Sequence, residues 1–130
     1  MRSNFLFFGA LAAFIGVAMG AFGAHGLKGV LSTEQLAVYQ TGVNYQIWHA
    51  LGLCGIAQIH RQAPHSRLLQ WAGWLMFLGI VLFSGSLYFM TMLEVKWFGM
   101  ITPFGGLSFL TAWLLIAVFA TRKQSSGRYS

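Results

Sequence analysis

Residues 38–59 read VYQTGVNYQIWHALGLCGIAQI, and the fold turns on how this stretch is read. At 1.5 Å per residue it is long enough to cross a hydrocarbon core of about 30 Å. Its first half is more polar than an ordinary span. Counted as a span it makes four in all, and both ends of the chain then lie on the same side of the membrane.

The surrounding sequence supports that reading. Apolar runs occupy about residues 5–24, 68–93 and 101–120, and the first of them carries no charge. Of the 130 residues, 57% are hydrophobic and 8% charged, whereas soluble domains carry about 25% charged residues. Apolar runs of this length must be helical in lipid, where unpaired backbone groups find no water. The expectation is an all-α membrane protein, a four-transmembrane-helix bundle. Residues 1–121 form its single domain and residues 122–130 a polar, disordered cytoplasmic tail. No room remains for a separate soluble domain.

Orientation follows from the eight basic residues. Arg2, Arg61, Arg67, Arg122, Lys123 and Arg128 fall on one side of the four-span arrangement. Lys28 and Lys96 fall on the other, each in a loop that also holds an acid, Glu34 or Glu94. The positive-inside rule places both termini in the cytoplasm. The net charge of +6 is scattered among apolar segments, which fits membrane topology better than a phosphate-binding stripe, and no nucleic acid is expected as a partner. The lone Cys54 excludes an intrachain disulfide.

The first stretch also has a rival reading. Arg2, the apolar run and Ala21-Phe22-Gly23-Ala24 resemble a secretory signal peptide. Its length and its glycines, spaced for helix contact, favour retention. Ser32 followed by Gln35 matches a capping box, with Glu34 in the favourable first turn. The helix from about 33 to 60 would be about 42 Å long, so its first turns stand at the outer interface. Pro103, with Gly105 and Gly106, marks an irregular entry to the fourth span.

Three groups of residues are singled out. Ala12, Gly16, Gly20 and Ala24 recur every four residues, with Gly9 and Gly23 nearby, a ladder that lets helix backbones approach closely. It suits packing within the bundle first and a face between copies second. In the second span Thr41, Tyr45 and His49 sit four apart, with Gln46 one turn before His49. An intramembrane histidine is a functional-site hypothesis; against it stands a neutral histidine hydrogen-bonded within the bundle. His25, Tyr39, Gln40, Ser84, Ser86, Tyr88 and Thr102 gather toward the outer half. Trp71 and Trp74 read as anchors at the cytoplasmic interface, and Tyr39, Tyr88 and Trp97 at the outer one. Trp113 lies deeper and reads as packing. His25, His49, His60 and His65 fall at different heights, which disfavours haem or any other metal site. No cofactor is expected. With only Glu34 and Glu94, both near the outer surface, paired-carboxylate chemistry is nearly excluded. No P-loop, zinc-binding histidine pair, serine–histidine–acid arrangement or Rossmann fingerprint is present.

Four ordered pieces carry a family resemblance: residues 20–27 (GAFGAHGL), Tyr39-Gln40-Thr41 with His49, residues 83–88 (FSGSLY) and residues 101–106 (ITPFGG). On these the chain resembles the YgdD/YwdK-type small inner-membrane proteins of bacteria, a domain-of-unknown-function family with mitochondrial relatives. The resemblance implies a multi-span inner-membrane protein whose first segment is retained, and it implies no function. Phe14-Ile15-Gly16 and Phe77-Leu78-Gly79 hint at two hairpins related as a parallel repeat. The leading expectation is a non-enzymatic component that packs with itself, with membrane lipids or with a larger membrane complex. A small channel or transporter past His49 comes second, and a lipid- or quinone-handling enzyme third.

Overall fold

The computed structural model describes residues 4–122. Arg2, Lys123, Arg128 and the expected tail after Arg122 lie outside the described residues. Four helices account for most of the described residues. They are α1 (Asn4–His25), α2 (Thr33–Gln62), α3 (Arg67–Met92) and α4 (Thr102–Thr121), with a 3₁₀ turn, Lys96–Met100, before α4.

Local chemistry sets the helix ends. The Gln35 N–H donates to Ser32 Oγ and the Ser32 N–H to Gln35 Oε1, both at 3.1 Å, so the capping box is formed. Ser66 caps α3 by accepting from the Leu69 N–H at 3.3 Å. Glu94 adopts a left-handed backbone (φ 56°) and turns the chain away from α3. Pro103 stands in the first turn of α4, where its missing N–H costs nothing.

The helices pair as two hairpins. α1 lies along α2, α4 lies along α3, and the hairpins meet through α2 and α3. Small residues line the seams. Ala50, Ala72 and Ala112 are fully buried together with Leu53 and Met76. Gly105 allows the closest approach, because a Cβ there would collide with the Phe83 backbone. Beside it the ring of Phe109 rests on Gly79.

α3 is not the uniform helix its hydropathy suggests. Its middle, Ile80–Ser84, is a π turn between the α-helical segments Arg67–Gly79 and Gly85–Met92. Such single wide turns re-aim the side chains that follow them. Here the turn ends on Ser84 and adjoins the Phe83–Gly105 approach.

The molecule turns large apolar side chains outward: Phe14 is 72% exposed and Leu110 66%. Three segments are long and apolar enough to cross a membrane. Their mean hydropathies are 2.2 for Asn4–His25, 1.9 for Arg67–Met92 and 1.9 for Lys96–Thr121. α2 has the length, at 30 residues, but not the apolarity. The polar residues of its first half hold it apart from the other three.

Candidate functional site: the polar seam of the bundle

The polar side chains of α2 reach in three directions. Toward α1, Tyr39 Oη donates to the Met19 carbonyl at 2.5 Å and Gln46 Nε2 to the Ala12 carbonyl at 2.8 Å. Toward α3, the Gly42 carbonyl accepts from Ser84 Oγ at 2.7 Å, and Gln46 Oε1 accepts from Tyr88 Oη at 2.6 Å. Gln46 thus ties three helices through the two ends of one amide. A carbonyl can only accept, so the Ala12 contact fixes which end of that amide is nitrogen. Toward α4 the surface is aromatic and is filled by His49.

His49 is 6% exposed. Its ring stacks on Phe109 at a centroid distance of 3.6 Å and an interplanar angle of 13°, and Trp113 meets it edge-on at 5.8 Å. Nδ1 lies 2.7 Å from the Tyr45 carbonyl of its own helix, so Nδ1 carries the proton. Tyr45 stacks on Phe83 at 4.6 Å and lies nearly parallel to His49 at 5.7 Å. The pair belongs to an aromatic stack between α2, α3 and α4.

The expected cluster of Thr41, Tyr45, Gln46 and His49 therefore divides. Gln46 faces α1 and α3, Tyr45 and His49 face the aromatic stack, and Thr41 faces outward, bonded to Ala37 of its own helix at 3.0 Å. Four-residue steps on a helix of 3.6 residues per turn drift about 40° each, so Thr41 and His49 do not share a direction.

The outer group divides as well. Tyr39, Ser84 and Tyr88 surround Gly42 and Gln46, with the two tyrosine rings 5.3 Å apart. Ser86 and Thr102 form a separate pair between α3 and the start of α4, their hydroxyls 2.6 Å apart. His25 and Gln40 are exposed and take part in neither. Tyr39 is 0% exposed and Tyr88 half-buried, so neither is the interfacial anchor expected from its position. Each ring lies inside because a partner oxygen there receives its hydroxyl. Trp71, Trp74 and Trp97 are exposed.

In α1, Gly9, Ala12, Gly16 and Gly23 are buried, Gly20 is half-buried and Ala24 is exposed. The buried members press on α2: Gly9 on Cys54 and the Ala50 carbonyl, Gly16 on Ile47, Gly23 beneath the Tyr39 ring. Ser108 escaped the sequence reading. Its Oγ donates to the Leu75 carbonyl at 2.6 Å. Its spacing from Gly105 and Ala112 was the available signal, hidden in a span that reads as almost purely apolar.

Among the described residues no three His, Cys, Asp or Glu side chains come together as metal ligands. A groove of about 290 Å³ opens between α1 and α3, lined by Met19, Gly85, Tyr88, Phe89, Met92 and Leu93. These walls suit hydrocarbon better than a hydrated solute.

Residues 19–106 match the family model described as "Protein of unknown function (DUF423)". The chain belongs to this family. It is 45% identical to the UPF0382 membrane protein YwdK of Bacillus subtilis (strain 168), over 91% of this chain and 96% of the relative. It is 46% identical to the UPF0382 membrane protein SH2409 of Staphylococcus haemolyticus, over 88% and 92%. It is 41% identical to the UPF0382 inner membrane protein YgdD of Escherichia coli (strain K12), over 98% and 97%. No solved structure matches the chain. The family match agrees with the resemblance carried by the four sequence motifs, and the chain is a small helical membrane protein.

Proposed function

We propose that the chain crosses the bacterial inner membrane four times, with both termini cytoplasmic, as a non-enzymatic structural or accessory component. The observation that carries this reading is how the interior polar groups are used. Tyr39, Gln46, Ser84, Tyr88, Ser86 and Ser108 each bond to a neighbouring helix. Polar side chains in this role hold helices together in a solvent that cannot satisfy them. They also make the polar half of α2 tolerable at membrane depth, because its inward groups find partners before lipid meets them. Arg61, Arg67 and Arg122 stand at the ends of α2, α3 and α4 that this orientation turns to the cytoplasm.

The test is a flux measurement on proteoliposomes of the full chain. The structural reading expects proton and solute leakage equal to that of empty liposomes, for wild type and His49→Ala alike. Flux in the wild type that His49→Ala abolishes, with folding intact, would replace it by a channel reading.

A further inference from the structure

Tyr39 and Gln46, on the inward side of α2, are bonded to other helices; an outward pair is not. Thr41, Asn44, Trp48, Leu51, Gly55 and Gln58 succeed one another at alternating intervals of three and four residues, which places them in one stripe along the helix. The stripe faces away from α1 and α3. Trp48 is 55% exposed and Leu51 60%, Thr41, Gly55 and Gln58 are exposed and Asn44 is half-buried. A Cβ at Gly55 would meet nothing within 4 Å.

In the four-span reading, on which this inference rests, Asn44 lies ~7 Å from the membrane midplane at 1.5 Å per residue. That is well inside a hydrocarbon half-thickness of about 15 Å. Asn44 Oδ1 accepts from Gln40 Nε2 at 3.0 Å. The Asn44 NH₂ and Gln40 Oε1 are then left, donor and acceptor, with no hydrogen-bond partner among the described residues. Lipid tails offer Asn44 none. The other outward faces differ: α1 shows Phe14 and Val17, α3 shows Val81, and α4 shows Leu110 and Leu114. Thr111 of α4 bonds back to Leu107 of its own helix at 2.8 Å, as Thr41 does to Ala37.

We propose that this stripe is a seam between two copies of the chain, α2 packed on α2. A second copy is the occupant that the chemistry selects. The Gln40–Asn44 pair presents amide donors and acceptors together, so the same pair on a two-fold-related copy can meet both kinds. Copies inserted in the same orientation are related by an axis along the membrane normal, which sets the two α2 helices parallel. Alternating three- and four-residue spacing is the seam pattern of a coiled helix pair, and one asparagine in such a seam sets its register. Gly55 admits a close backbone approach further along. Most of the small-residue ladder of α1 is unavailable for this role, since Gly9, Ala12, Gly16 and Gly23 are buried within the chain.

The test uses the full chain in a Cys54→Ala background, reconstituted at low protein-to-lipid ratio. Energy transfer between copies labelled at Lys28→Cys reads association, and labelling at Lys28→Cys and Arg67→Cys reads topology. We expect dimers, oxidative cross-links at Trp48→Cys and Leu51→Cys but not at Leu110→Cys, and a dissociation constant raised about tenfold by Asn44→Leu. Asn44→Gln should keep the dimer. With Lys28 and Arg67 on opposite faces, transfer no greater than that of dispersed monomers would overturn the proposal. Dimers that Asn44→Leu leaves as tight, or stripe cross-links in native membranes to another protein alone, would overturn it as well. Labels on the same face would overturn the four-span reading and the seam with it.

Discussion

Gln46 illustrates how one side chain can hold an element in place. Its amide donates to Ala12 of α1 and accepts from Tyr88 of α3, so removing it leaves a buried phenol without an acceptor. Net hydrogen bonds between membrane helices average about 0.6 kcal/mol, and an orphaned buried group adds about 1–3 kcal/mol. Gln46→Leu should therefore destabilise the bundle by roughly 2 kcal/mol in reversible unfolding from mixed micelles, and Tyr88→Phe in the same background should recover part of the loss. A loss from Gln46→Leu no larger than that of an exposed change outside the seam, such as Leu114→Ala, would mean that the bridge does not hold. His49, by contrast, reads in the sequence first as a neutral histidine hydrogen-bonded within the bundle and only second as a functional group. The structure assigns it a backbone bond and a ring stack, which a hydropathy reading cannot reveal because the partners Phe109 and Trp113 lie some sixty residues away.

Among the helices, α3 departs furthest from expectation. Residues 68–93 read as a plain apolar span, yet Ile80–Ser84 is a π turn beside the tight approach of Gly105 to the Phe83 backbone. The Ser84-Gly85-Ser86 motif was visible, but a widened turn depends on what presses against it, here Gly105 of α4. Gly105→Leu should push α4 away from Phe83 and cost roughly 3 kcal/mol, toward the upper end of overpacking penalties. Amide exchange of the two helices would report it, with faster exchange expected around residues 80–84 than at the ends of α1. Unchanged exchange there would show that the approach can relax. The start of α2, in contrast, was legible in four residues, because a capping box is a local device that needs nothing from elsewhere in the chain.

For the bundle in its membrane, the four-span arrangement makes a direct prediction. In a Cys54→Ala background, cysteines at Lys28 and Lys96 should react with an impermeant reagent added outside intact cells, and cysteines at Arg67 and Arg122 only after permeabilisation. Reaction of Arg67→Cys from outside would remove α2 from the membrane and leave three spans. α2 is the span in question because its polar residues are acceptable only within the packed bundle. On its inward face Tyr39 and Gln46 are satisfied by α1 and α3, and its outward amides would be met by the seam proposed with a second copy.

Hydropathy and charge were enough to read a small helical membrane protein, its apolar segments, its helix starts and, through four short motifs, its family. Each rests on a local property: span length, a cap, a run of residues. The use of each polar group depended instead on three-dimensional packing. Thr41, Gln46 and His49 lie close together in sequence, yet one faces outward, one ties three helices and one is stacked between rings. Which role each takes depends on the rotation of α2 against its neighbours. That rotation is set by small residues on α1 and by Phe83 and Phe109, none of them local to α2.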